Sequence, residues 1–370
     1  MPAFLRPELL QFSAYSAHAP QEDALLPEVI DHLDTNECAY DLPTALKEKL
    51  AWHYQDAIAA NRYPGGSHDD VKAAIARYVN SSALLPEATV TSQHISVGNG
   101  SDELIRSLLI ATCVGRPGAI LVATPTFSMY NILAQTLGVP VVTVGRNDET
   151  FEVDLKAAQT AIEQNPEPIR LVFMVSPNSP TGNAITSAEL AWLQQLPEDV
   201  LVVVDEAYFE FSQQTTVTEA LNRANWVVTR TFSKAFRLAA HRVGYAIAAP
   251  NLIQVLEKVR LPYNLPSFSQ TATLIALGHA SELLAKITEV QTERDRLAQA
   301  FKSLPHLKLW PSAANFLYCR PTQLTVEEVL QRLRQKGTYV RQTGGGLRIT
   351  IGTPQENGRT LDHLRQALDH

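Results

Sequence analysis

Five polar segments follow apolar runs along the chain, and each carries a group that could take part in chemistry. The segment GNGSDE (98–103) opens a helical pattern, and the free N–H groups at a helix start favour anions. An aromatic ring, an amide, a carboxylate and a lysine follow in TPTFSMY (124–130), SPNSPTG (176–182), DEAY (205–208) and RTFSKAF (230–236). A lysine that is buried beside cations has a lowered pKa and can act as a nucleophile or a proton carrier. The five segments together indicate one site that binds an anion and uses a lysine.

The apolar runs before these segments predict the strands that position them. The runs are nearly continuous in Val, Ile and Leu, which is typical of strands buried on both faces. Amphipathic helical patterns lie between them, and in one of these Leu104, Ile105, Leu108 and Leu109 share a face. The alternation predicts an α/β fold, with a mostly parallel central sheet flanked by helices and ligands bound beyond the strand ends. The predicted strands are HISV (94–97), AILVA (119–123), VPVVTV (139–144), IRLVFMV (169–175), VLVVV (200–204), WVVT (226–229) and VGYAIA (243–248).

The C-terminal part of the chain has a different pattern, which predicts a second, smaller α+β domain. A long helical stretch (269–304) is followed by helices and short strands such as LRITIG. Pro262 and Pro266 break the helical pattern just before this part. We therefore predict a large domain at 36–265 and a small domain at 266–370, with the N-terminal segment 1–35 packed against the small domain.

The composition indicates a soluble globular protein rather than a membrane or nucleic-acid-binding protein. The chain has 370 residues, 45% of them hydrophobic, and a net charge of −7. It contains no apolar run long enough to span a membrane, and its first residues lack the pattern of a signal peptide. Cys38, Cys113 and Cys319 are scattered, and no histidine or cysteine spacing suggests a metal site, so we expect no metal and a cytoplasmic location.

The ordered set of motifs resembles a known family. LDTNE (33–37), RYPGG (62–66), HRVG (241–244) and LRITIG (347–352), together with the five polar segments, are similar to motifs of the fold-type I pyridoxal-phosphate aminotransferases of class I and II. Within them the chain most resembles the histidinol-phosphate aminotransferases. The resemblance covers almost the whole chain, and it implies pyridoxal 5'-phosphate as the cofactor.

The resemblance also implies which residues handle the cofactor. Lys234 would be its covalent anchor and proton carrier, Asp205 would face its ring nitrogen, and Tyr208 would hydrogen-bond its 3-oxygen. The family's asparagine before Pro-Thr-Gly is replaced here by Ser179, with Asn178 one place earlier, so either residue could reach the 3-oxygen. The ring wall and the phosphate site would be formed by Phe127, Gly100, Ser101, Asp102, Ser233 and Arg242, the last of which follows Lys234 by eight residues as in the family.

Further implied residues face the substrate and a partner subunit. Arg341 and Arg348 would bind the phosphate of the substrate, because a planar guanidinium matches an anionic oxygen pair. Tyr15 and Asn36 would join them from the N-terminal part. Tyr63 resembles a residue that reaches the cofactor phosphate of the neighbouring subunit, which implies a homodimer with shared active sites.

The function implied is transamination between L-histidinol phosphate and 2-oxoglutarate, giving imidazole-acetol phosphate and L-glutamate, in L-histidine biosynthesis. Three alternatives remain open from the sequence. One is a related aminotransferase that acts on aromatic or other amino acids. Another is a decarboxylase of O-phosphothreonine, and the third is a non-catalytic binding protein on the same fold. The last is disfavoured by the presence of Lys234, Asp205 and Arg242.

Overall fold

The N-terminal residues of the chain contact both the part that carries the large sheet and the C-terminal part. The computed structural model describes residues 4–10 and 28–369. Arg6 donates a hydrogen bond of 2.9 Å to the carbonyl of Thr136, in the part of the chain that carries the large sheet. The elements up to residue 82 are helix α1 (Pro7–Leu10), strand β1 (Asp31–His32) and helices α2 (Thr44–Asp56) and α3 (Asp69–Ser82).

Seven strands form the central sheet among the described residues, and each of them matches one of the predicted apolar runs. They are β2 (Ile95–Asn99), β3 (Ala119–Ala123), β4 (Val141–Val144), β5 (Ile169–Val175), β6 (Leu201–Asp205), β7 (Trp226–Thr231) and β8 (Val243–Ala248). Their order in the sheet is β2-β8-β7-β6-β5-β3-β4. The pairs among β3 to β7 are parallel, whereas β8 runs antiparallel to both of its neighbours. The predicted α/β fold with a mostly parallel sheet is confirmed.

Helices cover both faces of this sheet. They are α4 (Gly100–Thr112), α5 (Met129–Leu137), α6 (Leu155–Gln164), α7 (Ser187–Gln194), α8 (Phe209–Ser212), α9 (Val217–Asn222) and α10 (Pro250–Val259). The apolar face predicted for α4 is buried, with Leu104, Ile105, Leu108 and Leu109 each 3% exposed or less. Because α4 begins at Gly100 directly after β2, its N-terminus lies at the edge of the sheet where the parallel strands end.

The C-terminal part builds a separate sheet. Its elements are α11 (Ser267–Gly278), α12 (Ala280–Leu284), α13 (Ile287–Lys302), β9 (Leu307–Trp310), β10 (Phe316–Pro321), α14 (Val326–Gln335), β11 (Thr338–Tyr339), β12 (Arg341–Thr343), β13 (Gly346–Thr350) and α15 (Pro354–Leu368). The strands β12, β13, β10 and β9 form an antiparallel sheet in that order. Strand β11 pairs in parallel with β1, and this pairing ties the N-terminal part to the C-terminal part.

The packing of the helices after residue 265 separates two hydrophobic cores. Ala272, Ile275 and Ala276 of α11 belong to the core of the large sheet, and α11 packs on α2 and α3. By contrast, Leu297 and Phe301 of α13 belong to the core of the small sheet. We therefore propose a domain boundary near the start of α13, instead of the boundary at residue 266 that we expected from the proline pattern.

Candidate active site

The ends of the parallel strands bring the predicted catalytic residues together. Asp205 is the last residue of β6 and lies opposite Val175 of β5 and Thr229 of β7. Lys234 follows the end of β7 by three residues. The carboxylate and the amine therefore project from neighbouring strands at the same edge of the sheet.

Lys234 is partly buried, and its amine lies near two arginines. Its Nζ donates a hydrogen bond of 2.9 Å to the carbonyl oxygen of Thr35. Burial, followed by the positive charges of Arg348 and Arg242, lowers the pKa of Lys234 to about 8. A substantial fraction of the amine is therefore neutral near physiological pH, and the neutral amine is the form that can attack a carbonyl or accept a proton.

Asp205 is buried and receives two hydrogen bonds. Tyr130 donates one from its hydroxyl to Oδ2 at 2.6 Å, and the backbone N–H of Ala207 donates the other to Oδ1 at 3.1 Å. Burial raises the pKa of Asp205 to about 6, and both hydrogen bonds oppose this rise. A cation beside this carboxylate would act in the same direction as the two hydrogen bonds and lower the pKa of Asp205, because an opposite charge favours the ionised form. The site is therefore suited to a protonated ring nitrogen.

Tyr130 is a functional residue that the sequence analysis missed. Its ring is buried and stacks on Phe173 with centroids 4.2 Å apart. The predicted ring wall, Phe127, is half-buried and meets Tyr130 edge to face at 5.5 Å. Tyr130 lies at the start of α5, in the same TPTFSMY segment as Phe127, but its contact with Asp205 joins residues 75 positions apart and leaves no local signal in the sequence.

The N-terminus of α4 and the start of β8 form an anion cradle. Antiparallel pairing places Asn99 opposite Val243, which brings Arg242 beside Gly100. The NH1 of Arg242 donates to Ser233 Oγ at 3.4 Å, and its NH2 donates to Asp102 Oδ2 at 3.4 Å. Gly100 has a φ of +72°, which favours glycine, and it lies directly beside the guanidinium, since a Cβ there would lie 2.6 Å from Arg242 NH2. The cradle thus combines a guanidinium, a hydroxyl and a helix start.

Asp102 occupies the cradle as a counter-ion of Arg242. Its side chain is partly exposed, and burial raises its pKa, whereas the charges of Arg242 and Lys234 lower it. Ser101 lies in the first turn of α4. An incoming phosphate would compete with the Asp102 carboxylate for Arg242, so we assign Asp102 a backbone or capping role rather than a side-chain contact.

The two adjacent candidates Asn178 and Ser179 have different surroundings. Asn178 is fully buried, and its amide donates to the carbonyl of Pro125 at 3.1 Å and to Thr181 Oγ1 at 2.6 Å. Ser179 Oγ instead accepts a hydrogen bond of 3.1 Å from Arg348 and also bonds the Tyr208 hydroxyl. These contacts favour Ser179 as the residue that faces a bound ligand, with Asn178 shaping the loop.

Tyr208 and Asn36 form a second polar contact on the same side. Asn36 Nδ2 donates a hydrogen bond of 2.8 Å to the Tyr208 hydroxyl, and the backbone N–H of Asn36 donates to Thr350 Oγ1 at 3.1 Å. Burial raises the pKa of Tyr208, and the charge of Arg348 opposes the rise. The phenol therefore stays protonated and can donate a hydrogen bond to an anionic oxygen.

Arg341 and Arg348 face each other across two antiparallel strands. They are directly opposite in the pairing of β12 with β13, so their side chains leave the same face of the small sheet. Arg348 reaches the large part of the chain, because its NH1 bonds Ser179 and its NH2 donates to the carbonyl of Asp34 at 2.6 Å. Two like charges in this arrangement favour an anion between them, and guanidinium groups suit phosphate.

Comparison with known proteins decides the family. The sequence profile of Aminotransferase class I and II matches residues 28–364. This chain belongs to that family. It is 57% identical to histidinol-phosphate aminotransferase 2 of Nostoc sp., over 99% of this chain and 97% of the relative. It is 55% identical to the histidinol-phosphate aminotransferase of Trichodesmium erythraeum, over 98% of each chain.

A solved structure shows that the aminotransferase fold is shared. The crystal structure of histidinol-phosphate aminotransferase from Sinorhizobium meliloti in complex with pyridoxal-5'-phosphate superposes with a TM-score of 0.83. The sequences are 21% identical, and the match covers 100% of this chain and 98% of that one. The polypeptide fold is therefore kept where most side chains differ.

One predicted site residue of the aminotransferase lies apart from this cluster, and another falls outside the described residues. Tyr63 is 80% exposed, and its ring stacks on Tyr263 at 4.6 Å. Its proposed role in a neighbouring subunit remains a prediction. Tyr15 lies outside the described residues, so its predicted contact with the substrate also remains a prediction.

A buried ion pair holds the strand ends that carry Asp205 and Lys234. Arg230 of β7 and Glu206, the residue after Asp205, are each 1% exposed and bond through two contacts of 2.8 and 3.0 Å. The guanidinium carbon of Arg230 lies 3.5 Å from the centroid of Phe209. Removing either partner would leave a buried charge without its counter-ion, so this pair fixes the spacing of the two catalytic strands.

The described part of the aminotransferase offers neither a membrane span nor a metal centre. Among residues 4–10 and 28–369, no helix has the length and apolar character that crossing a bilayer requires. The same residues include no group of three or more His, Cys, Asp or Glu side chains placed to hold a metal ion.

Proposed function

We propose that this aminotransferase moves an amino group between L-histidinol phosphate and 2-oxoglutarate in L-histidine biosynthesis, with pyridoxal phosphate as cofactor. The observation that carries the proposal is that two arginines from different parts of the chain approach Lys234. Arg242 bonds Ser233, the residue before Lys234. Arg348 bonds the carbonyl of Asp34, next to the Thr35 carbonyl that accepts from Lys234. Arg242 belongs to the cradle at the start of α4, and Arg348 belongs to the arginine pair of the small sheet, and the charges of both act on Lys234. Two anions can therefore be held around one amine: one of the cofactor and one of the substrate. The names of the 57% and 55% identical relatives agree with this assignment.

The residues present fit pyridoxal phosphate. Covalent attachment needs an amine that can lose its proton, and the lowered pKa of Lys234 provides it. A ring nitrogen needs a carboxylate, and Asp205 is buried with its two oxygens oriented by Tyr130 and Ala207. A phosphate needs cationic and N–H donors, and these meet at Arg242, Ser233 and the start of α4.

The chain's own groups then have separate tasks. When bound, the cofactor supplies an electron sink for the electron pair of the substrate Cα–H bond. With the cofactor bound, the amine of Lys234 would take the proton from that carbon and carry it to the cofactor carbon that bears the amino group. Asp205 would keep a proton on the ring nitrogen, and Tyr208 would donate a hydrogen bond to the ring oxygen. Arg341, Arg348 and Asn36 orient the substrate, so that the proton and the amine lie in reach.

The arginine pair predicts a strong preference for a phosphorylated donor. We expect kcat/KM for L-histidinol phosphate to exceed that for L-histidinol by roughly 10- to 150-fold, because a hydrogen bond to a charged group contributes about 1.5–3 kcal/mol. The Arg341→Met variant should lose most of this preference. The Arg365→Met variant should keep it, because Arg365 is an exposed residue of α15. Initial rates with both donors, with 2-oxoglutarate as acceptor, measure the ratio.

Assays with other substrates distinguish this proposal from the alternative functions. If L-phenylalanine or L-aspartate is the better donor, the chain is an aminotransferase of another specificity. Release of carbon dioxide from O-phospho-L-threonine would identify a decarboxylase instead. A protein that binds these ligands without turnover would be the non-catalytic alternative.

We also propose that the enzyme is a homodimer with shared active sites. Large apolar side chains are exposed on α2, in the RYPGG segment and at 261–263, Tyr63 stacks on Tyr263, and α2 packs on α11. Exposed apolar area of this kind is typical of an interface. The residues concerned are Trp52, Tyr54, Tyr63, Leu261 and Tyr263. In the proposed dimer the exposed Tyr63 contacts the cradle of the partner subunit.

Subunit mixing tests the shared site. The Lys234→Ala homodimer has no anchor, and the Tyr63→Ala homodimer loses one hydrogen bond to phosphate, worth about 1.5–3 kcal/mol. In a mixed dimer one site carries both changes, whereas the other combines an intact Lys234 with an intact Tyr63. We therefore expect activity at limiting cofactor to rise above that of either parent after the subunits exchange. If native mass spectrometry confirms exchange and activity does not rise, Tyr63 does not serve the partner's site.

A cytoplasmic location is part of the same proposal. All three cysteines of the chain are free, and Cys113 and Cys319 are buried. Scattered unpaired cysteines are typical of a reducing compartment.

A further inference from the structure

The turn that joins the two arginine-bearing strands has an unusual backbone. It runs from Thr343 to Gly346, between β12 and β13, so it connects Arg341 to Arg348. Gly344 and Gly345 have φ angles of +59° and +78°, in the left-handed region that favours glycine. The turn is therefore tight, and it links the two strands that carry the arginines.

Gly344 sits against two loops of the large part of the chain. A Cβ at this position would lie 2.8 Å from Pro125 Cβ and 3.1 Å from Pro180 Cγ. Pro125 precedes the ring-wall residue Phe127 by two positions, and Pro180 follows Ser179 directly. Gly344 thus lets the turn touch the two loops that carry residues of the cofactor and substrate sites.

Gly345 shares the backbone conformation but not this contact. A Cβ at Gly345 would lie 3.5 Å from the nearest atom, the NH2 of Arg320, which is the far end of a flexible side chain. Replacing Gly345 therefore adds the strain of a positive φ without a clash against the prolines. A substitution at Gly345 is therefore a matched control for the same substitution at Gly344.

A buried tyrosine holds the turn from the side of the small sheet. The hydroxyl oxygen of Tyr318 lies 2.6 Å from the carbonyl oxygen of Gly344 and 3.1 Å from that of Thr343, so its single proton is donated to one of these carbonyls or shared between them. Tyr318 is fully buried on β10 and lies opposite Arg348 in the strand pairing. The turn is consequently fixed on one side by a hydrogen-bonded tyrosine and on the other by the two prolines.

We infer that the Thr343–Gly346 turn is a positioning element that sets the distance of the arginine pair from Lys234 and thereby the enzyme's selectivity for a phosphorylated donor. Arg348 bonds Ser179, the neighbour of Pro180. The turn and the arginine therefore both contact the same loop. A side chain at position 344 would push the turn off the prolines and draw Arg348 away from Ser179. The inference rests on the proposed function, because it assumes that the arginines bind the substrate's phosphate.

The test compares Gly344→Ala with Gly345→Ala in the holoenzyme. We expect Gly344→Ala to raise KM for L-histidinol phosphate by about tenfold, the effect of weakening one hydrogen bond to a charged group. The kcat and the amount of cofactor bound per subunit, read from visible absorbance and equilibrium dialysis, should stay within about twofold. For Gly345→Ala we expect all of these quantities to stay within about twofold of wild type.

Tyr318→Phe provides a second route to the same answer if Gly344→Ala fails to fold. This variant removes the hydroxyl that bonds the turn, and it should raise the same KM by about fivefold, as the loss of one neutral hydrogen bond would. Equal effects of the two glycine substitutions, or no effect of Gly344→Ala and Tyr318→Phe, would overturn the inference. A wild-type enzyme without any preference for L-histidinol phosphate over L-histidinol would overturn the proposed function, and the inference with it.

Discussion

We expect the Lys234→Ala variant to lose transaminase activity by about 10⁴-fold, the upper end of what a positioned proton-transfer group contributes. The amine of Lys234 has two tasks, covalent attachment of the cofactor and transfer of the substrate's proton. Alanine removes both tasks. The rate of L-glutamate formation from L-histidinol phosphate and 2-oxoglutarate, at saturating cofactor, measures the loss.

The exposed Lys302 at the end of α13 provides the matched control. Lys302→Ala removes the same side chain from the surface and should leave the rate within about twofold. Circular dichroism should show native secondary structure for both variants. If Lys234→Ala keeps more than about 1% of wild-type activity, proton transfer does not depend on this amine as proposed.

The Asp205→Asn variant should show the second largest effect, a loss of about 10²- to 10³-fold in kcat, comparable to removing one preorganised electrostatic partner from an active site. The amide has nearly the same shape as the carboxylate but carries no charge, so it cannot hold a proton on the cofactor's ring nitrogen. Steady-state kinetics with the preferred donor give the size of the loss.

Tyr130→Phe separates the charge of Asp205 from its orientation. This variant keeps the carboxylate and removes the 2.6 Å hydrogen bond to Oδ2. Since that bond lowers the pKa of Asp205, its loss should raise the pKa above about 6. We expect kcat to fall by at most about tenfold, the effect of one hydrogen bond to a charged group at the lower end of its range. An Asp205→Asn enzyme as active as Tyr130→Phe would show that the charge is not needed.

The strands, and the placement of the candidate catalytic residues at their ends, could be predicted from the sequence for a physical reason. Strands buried on both faces must be apolar throughout, so the runs at β3, β5 and β6 stand out from the rest of the chain. The catalytic groups then follow directly after those runs, as Asp205 follows β6's valines and Lys234 follows β7. Short distances along the chain made these predictions possible.

Other features depend on contacts between distant parts of the chain. The sequence could not choose between Asn178 and Ser179, because the choice depends on Arg348, 169 residues from Ser179. It also placed α11 in the small domain, whereas the helix packs on α2 and α3, because an apolar helix face does not show which core it will join. The contact of Gly344 with Pro125 likewise appears only once the two sheets are brought together.

Borohydride reduction followed by peptide mapping tests most directly whether Lys234 is the cofactor's anchor. The purified enzyme should be yellow and should lose its visible absorbance when the bond between amine and cofactor is reduced. We expect mass spectrometry to find the reduced cofactor on the peptide that contains Lys234, in about one copy per subunit of a fully loaded enzyme. An adduct on another lysine, or no adduct in an enzyme that is active, would contradict the assignment of Lys234.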